Sequence, residues 1–264
     1  MKKANRLVAV LAAMALVLAA CGDDGDAGDD VDVESLELVA ADTLTVCTDT
    51  PYPPMEFQDE GAEGGYTGFD IELMRAIAED LGLTMTVAEP GWDAITGGLA
   101  FESGECDVAA ASITITDERA EVIDFTEPYF TAEQSLLVRT DSGITSLEEM
   151  VGNDLAVQTG TTGHFYVRDE GPEGIIIVEF PDADGPYLAL ESGDVEGFMT
   201  DLVATQDYVD NNEGWAVVET FATDEVYGLA TKDAPNLLSA INATLAEFRG
   251  DGTYDRIFGE WFDA

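Results

Sequence analysis

Two short stretches of this chain are each echoed later, and the echoes keep their order. "LTVCTDT" (44–50) returns as "LAVQTGT" (155–161), and "ESGECDVAAAS" (102–112) returns as "ESGDVEGFMTD" (191–201). A plan stated twice constrains the fold more than any composition figure. It calls for two lobes built alike, with matching strand ends at matching places. A chain of 264 residues is long enough for two modest globular units.

The segments between the echoes set the class. "LTVCT" is a short β-rich run, and "GFDIELMRAIAEDLG" carries apolar residues at helical spacing: Ile71, Met74, Ile77, Ala78 and Leu81, with Gly82 as a stop. "LTMTV" reads as a strand, "WDAITGGLAFESG" as a helix weakened by Gly97 and Gly98, and "CDVAAAS" as a strand apolar on both faces. The second half repeats the alternation: "LAVQT", a helix near 162–170, "GIIIVEF", a helix in "DGPYLALESG", then "VEGFMTD". Strands alternating with helices predict an α/β protein, each lobe a mostly parallel sheet flanked by helices.

The first residues are a different kind of segment. "MKKANR" is cationic, and an apolar run follows over residues 7–20. That run is short for a membrane span and ends on small residues, so 1–20 read as a secretory signal peptide. "LAAC" resembles the bacterial lipobox, which implies cleavage before Cys21 and a lipid on its sulfur. A lipid chain gains roughly 0.8 kcal/mol per buried CH₂ and tethers the protein to a membrane face. Residues 21–42, rich in Asp and Gly, read as a lipidated acidic linker.

Charge excludes some partners. The formal net charge is −45, and removal of Lys2, Lys3 and Arg6 leaves seven cations against 55 acids. Such a surface repels nucleic acid and anionic lipid. A saline habitat is one reading of this acidity. With a single His, three Cys and no EF-hand loop, neither a metal nor another cofactor is expected. An oxidising compartment permits a Cys47–Cys106 disulfide. The strand register argues against it: Cys106 falls about four residues below Cys47 at ~3.3 Å each, beyond a disulfide's Cα spacing of about 6 Å.

The echoes also locate a site. In open α/β sheets ligands bind outside the carboxyl ends of the strands. Asp49, Ser112, Thr161 and Asp201 fall at or just past those ends, with Ser112 and Asp201 in equivalent places. Arg119, one of few cations, follows shortly in "TDERAEVI", where Thr116 is a plausible N-cap. It has two readings, a planar fork for a carboxylate or a solvated helix Arg among acids. Ser112 and Thr114 offer hydroxyl or backbone donors. Thr162 offers a helix-start N–H or is merely an N-cap. Asp201 is an ammonium partner or the cap of "LVATQDYV". Asp49 is a polar contact or a turn cap. Tyr52 and Trp92 are aromatic walls or core.

Several blocks together resemble one family. "TVCTDTPYPPMEF", "GYTGFDIELMRAIAEDLGL", "ECDVAAASITITDERAEVIDFTEPYF", "LAVQTGTTG" and "ALESGDVEGFMTDL" resemble, in order, the family 3 bacterial solute-binding proteins of ABC importers for polar amino acids. The resemblance implies a two-lobe periplasmic-binding-protein type II fold with two hinge crossings. Lobe 1 would comprise 43–134 and 229–264, and lobe 2 135–228. It implies that Arg119 forks the ligand's α-carboxylate, shared with Thr114 and the Thr162 N–H. The Ser112 carbonyl and Asp201 would take the α-ammonium, Tyr52 and Trp92 would sandwich the stem, and Asp49 would read the tip.

Met55 stands where the family usually has Phe, and "TGGL" where it often has Pro. Asp49 and Gln158 favour a polar or basic side chain and disfavour glutamate and aspartate. The expected partners are a free amino acid and the ABC permease subunits, the protein being a monomer held outside the cytoplasm by lipid on Cys21. No enzymatic activity is expected, since the only His sits at a helix start and no acid beyond Asp49 and Asp201 clearly joins the site. The alternatives are a cyclohexadienyl-dehydratase-like enzyme on the same fold, or an amino-acid-sensing co-receptor.

Overall fold

The apolar spacing that predicts a helix after Gly68 is realised in a computed structural model of the chain, which describes residues 33–262. The signal peptide, Cys21 and most of the acidic linker lie outside the described residues. Strand β1 (Thr43–Cys47) leads through the hairpin β2 (Phe57–Gln58) and β3 (Tyr66–Thr67) to helix α1 (Phe69–Asp80) and β4 (Thr84–Ala88). The glycine-weakened helix is two short ones, α2 (Trp92–Thr96) and α3 (Leu99–Glu102), parted at Gly97 and Gly98. Then come β5 (Val108–Ala109), α4 (Asp117–Ala120) and β6 (Asp124–Phe125). The second half runs β7 (Phe130–Arg139), β8 (Asp154–Gln158), α5 (Thr162–Glu170), β9 (Ile176–Phe180), α6 (Gly185–Ser192), β10 (Gly197–Asp201), α7 (Leu202–Asn211) and β11 (Trp215–Tyr227). The chain closes with β12 (Ala230–Thr231), α8 (Pro235–Asp251) and α9 (Thr253–Phe262).

Two five-stranded sheets result, ordered β4-β1-β5-β12-β6 and β11-β7-β10-β8-β9. Each has a parallel core, β4-β1-β5 in the first and β10-β8-β9 in the second. The antiparallel pairs involve β7, β11 and β12, which flank the passages between the sheets. The chain leaves the first sheet between Phe125 and Phe130 and returns between Tyr227 and Ala230, so the two passages run side by side. The Tyr129 N–H donates to the Tyr227 carbonyl there (2.9 Å), and the Thr126 N–H to that of Leu229 (2.9 Å). Among the described residues, no helix is long and apolar enough to cross a membrane.

The first sheet's core gathers Leu44, Val46, Phe69, Leu73, Met74 and Ile77 with Leu237, Ile241, Leu245 and Phe248 of α8. Each such side chain contributes about 1.5–3 kcal/mol on burial. The tail therefore packs on the sheet that opened the chain. The second sheet buries Leu136, Val138, Leu155, Val157 and Met199 on one side, and Leu137, Ala156, Leu190 and Phe198 on the other.

Helix α1 begins without a side-chain cap. Its Phe69 and Asp70 N–H groups instead donate to the carbonyls of Pro54 and Met55, both at 2.9 Å. This pins the turn that carries Tyr52 and Glu56. The approach is close enough to demand glycine: Gly68 has φ +120°, and a Cβ there would lie 2.2 Å from the Met55 oxygen. Gly68→Ala is expected to lower stability by about 2 kcal/mol or more, read as a lower urea midpoint with an unchanged slope.

One expectation from register is overturned. Cys47 and Cys106 form a disulfide with Cα atoms 5.6 Å apart. The strand is shorter than its apolar run suggests: β5 is Val108–Ala109 alone, with Cys47 opposite Ala109. The chain bends at Asp107. Cys106 therefore does not extend below the strand but turns back beside Cys47, in a cluster with Trp92, Ile95 and Ala109. The bend is held by the Asp107 carboxylate, which accepts from the N–H groups of Val39 (2.6 Å) and Thr45 (2.8 Å).

Candidate functional site

The carboxyl ends of the two sheets' strands face one cavity with about 410 Å³ of empty space, part of it open to solvent. Asp49, Tyr52, Trp92, Ser112, Thr114, Arg119, Thr162 and Asp201 all line it, as does Gln158. Thr161, placed at a strand end from the sequence, lines it as well, and so do Glu56, Gly163 and Thr200, which were not singled out.

Arg119 is turned inward. The Thr116 hydroxyl caps α4 by accepting from the Arg119 N–H (3.2 Å), and the side chain folds back toward the strand ends. It is 6% exposed. Nη1 donates to the Thr114 carbonyl (2.8 Å) and Nη2 to the Gly160 carbonyl (3.2 Å), while the guanidinium carbon lies 4.9 Å from the centre of the Trp92 ring. Among the described residues, no carboxylate pairs with it within 4.0 Å. Burial lowers its pKa to about 10, against the opposing pull of Asp201 and Glu225. Its two hydrogen bonds are to neutral carbonyls, which leaves its positive charge unpaired by any carboxylate among the described residues.

Asp201 precedes α7 but does not cap it. Its carboxylate turns into the cavity and accepts from the hydroxyls of Tyr52 (2.8 Å) and Tyr227 and from Gln134 Nε2. Burial raises its pKa to about 6, Glu225 adds to the rise, and the three donors oppose it. Tyr52 is thus more than an aromatic wall, since its hydroxyl bonds across the cavity to the second sheet.

Thr162 is not the cap of α5. Thr161 fills that place, its hydroxyl accepting from the His164 N–H (3.2 Å), while the Thr162 hydroxyl accepts from Gln134 Nε2 (3.2 Å). The Thr114 hydroxyl donates to Glu225 Oε2 (2.8 Å), and Gln134 Nε2 also reaches Glu225 Oε1 (3.1 Å). Trp92 Nε1 is buried without a hydrogen-bond partner among the described residues.

At the other end of the cavity, Asp49 Oδ2 accepts from Gln158 Nε2 (2.7 Å), joining β8 to the loop after β1. Burial raises the Asp49 carboxyl to about 6; the Gln158 bond opposes this, and Asp182, Glu89 and Asp93 push it further. This end is rich in negative charge.

Sequence reasoning missed the layer beneath. Ser112 sits at φ +50° with its N–H donating to Asp70 Oδ2 (2.9 Å) and its hydroxyl to Glu56 Oε2 (3.1 Å). Glu56 and Asp70 are 1% and 0% exposed. The expectation that no acid beyond Asp49 and Asp201 joins the site is therefore corrected by Glu56. Gln134, Tyr227 and Glu225 were also missed. The available signals were polar residues inside apolar patterns, "PMEF", "GFDIEL" and "AEQSLLV". Nothing marked Glu225.

Two α/β sheets closing charged groups of both signs around one cavity define an interlobe ligand-binding protein. The profile of the bacterial extracellular solute-binding proteins, family 3, matches residues 44–264, and the chain belongs to that family. It is 32% identical over 270 residues to the ABC transporter glutamine-binding protein GlnH of Bacillus subtilis (strain 168), covering 99% of this chain and 97% of the relative. A solved ancestral arginine-binding protein bound to glutamine is 36% identical, with a TM-score of 0.78 over 85% of this chain and 100% of that one. The ancestral amino acid-binding protein AncCDT-1, a precursor of cyclohexadienyl dehydratase, is 33% identical, with a TM-score of 0.73 over 83% and 95%. The fold is the one these binding proteins share.

Proposed function

We propose that this protein captures a polar or basic L-α-amino acid between its lobes and delivers it to the permease of an ABC importer. The observation that carries the reading is Arg119, a buried guanidinium that no carboxylate pairs among the described residues, in one cavity with the buried carboxylate of Asp201. Arg119 would take the α-carboxylate, with Thr114 and the Thr162 N–H beside it. Asp201 and the Ser112 carbonyl would take the ammonium, and Tyr52 and Trp92 the stem. The acids around Asp49 favour a neutral polar or cationic tip and oppose a second negative charge. Residues 43–134 with 229–264, and residues 135–228, would close as two lobes on the ligand. The leader of 1–20 and a lipid on Cys21 would hold the protein, as a monomer, outside the cytoplasm at a membrane face.

A thermal-shift screen over the twenty amino acids with ornithine and citrulline tests this. A ligand at 100 times its Kd adds about 2.7 kcal/mol. Glutamine, arginine, lysine or ornithine is expected to raise Tm, and aspartate and glutamate to leave it unchanged. A screen in which no amino acid shifts Tm would refute the reading. Asp49→Asn is expected to weaken basic ligands more than glutamine.

One observation favours a second reading. Glu56 gives the cavity a carboxyl whose pKa burial and the neighbouring Asp70 push well above the ordinary range, the kind of group a dehydratase uses as a general acid. Turnover of a cyclohexadienyl acid by the purified protein would support that reading, and its absence would leave the binder.

A further inference from the structure

Beneath the ammonium end of the cavity lies a pair of buried carboxyls, of which Glu56 lines the cavity and Asp70 does not. Asp70 opens α1, and its N–H bonds the Met55 carbonyl, so its side chain sits beside Glu56. Ser112 bridges the two, its N–H on Asp70 and its hydroxyl on Glu56. Neither bond uses the Ser112 carbonyl. The serine lies at φ +50°, a conformation that non-glycine residues seldom adopt, and both carboxyls bond it there. Tyr129 donates its hydroxyl to Asp70 from behind (2.7 Å).

We propose that Glu56 and Asp70 are positioning residues for ammonium recognition: they hold Ser112 with its carbonyl free for the ligand, and a proton carried by one of the pair leaves for solvent when an ammonium is bound. The inference rests on the function proposed above. Two adjacent carboxyls this deeply buried, with no cation paired to either among the described residues, cannot both be ionised cheaply. Burial raises Asp70 to about 7, opposed by its bonds from Ser112 and Tyr129. Burial first and then Asp70 raise Glu56 well above the ordinary carboxyl range, with Asp49 and Asp201 adding to it across the cavity. Arg119 is the cation that shares the cavity with Glu56. An arriving ammonium supplies the missing positive charge. The carboxyl O–H bond then breaks, the proton passes to buffer, and the carboxylate remains beside the ligand's charge. The sign is fixed: raised carboxyl pKa values lowered by a bound cation give proton release, not uptake.

The test is calorimetry of the whole protein titrated with L-arginine or L-glutamine at pH 8, in buffers of different ionisation enthalpy. The slope of observed heat against ionisation enthalpy is expected to report net proton release on binding. Asp49 and Asp201, each near 6, contribute little at that pH. A free α-ammonium that is partly deprotonated there would give uptake instead. Glu56→Gln is expected to bind with release reduced to near zero. Equal heats in every buffer, or unchanged release in Glu56→Gln, would overturn the proposal. Should Glu56→Gln fail to fold by circular dichroism, the native pH series decides: release at pH 8 supports the carboxyl pair, and release confined to about pH 6 assigns the proton to Asp49 or Asp201 and refutes it. Absence of any amino-acid binding would count against the proposed function, a result distinct from binding without proton release.

Discussion

Arg119→Ala is expected to weaken amino-acid binding at least about a hundredfold, some 2.7 kcal/mol. Among the described residues, the guanidinium's hydrogen-bond acceptors are the carbonyls of Thr114 and Gly160, so on the proposed function its charge is left for an incoming carboxylate. Without it, a bound carboxylate would share the cavity with Asp49 and Asp201 and keep only neutral partners, Thr114 and the Thr162 N–H. Breaking a buried pair by removing one partner typically costs about 3–5 kcal/mol, and the surviving acids place this site toward the upper end. Arg119→Lys should fall between the native and alanine proteins, because an ammonium keeps the charge but loses the planar fork and the stacking on Trp92. Calorimetry of the alanine variant showing near-native affinity would remove Arg119 from the site.

The second large effect concerns stability. The Cys47–Cys106 bridge closes a loop of sequence separation 59. Chain-entropy arguments give about 4 kcal/mol for a loop of that size. The paired Cys47→Ala, Cys106→Ala variant is therefore expected to unfold at a markedly lower denaturant concentration than the oxidised native protein. Native protein unfolded in reductant should match the variant. Both cysteines are buried beside Trp92 and Ile95, so the variant also loses packing beneath one wall of the cavity. An unchanged midpoint after removal of the bridge would show that the Asp107 bend and its two accepted N–H bonds hold the segment unaided.

The contrast between Arg119 and Cys106 shows where reading a sequence succeeds. For Arg119 the local signs, a cation in a chain nearly without cations, a helix-start Thr before it and a strand end upstream, left two readings open; the family resemblance favoured the inward one, and the structure turns the side chain into the cavity. Asp201 was legible through its echo at Ser112. Both positions follow from strand ends, and strand ends follow from local hydrophobic runs. Cys106 was misread because an apolar run does not say where a strand stops. "CDVAAAS" has the composition of a seven-residue strand, yet pairing ends after two residues. What bends the chain is Asp107, whose carboxylate bonds the distant N–H groups of Val39 and Thr45.

The carboxyl layer was illegible for a related reason. Asp70 has the form of an ordinary first-turn helix acid, and Glu56 that of a surface residue after a proline turn. Only the approach of α1 to the Met55 carbonyl, permitted by Gly68, brings them together under Ser112. Gln134 and Glu225 lie on β7 and β11, at Cα positions set by the pairing of the two passages. Their contacts with Asp201, Thr114 and Thr162 depend on how the sheets meet.

Taken by itself, the sequence determined the alternation of strands and helices, the doubled plan, and the strand-end positions that line the cavity, because each is a matter of neighbours along the chain. The tertiary structure alone decided which way those side chains turn, which acids lie buried without a cation, and which cysteines meet. Those outcomes depend on long-range approach and on the cost of removing charge from water, and no local pattern records either.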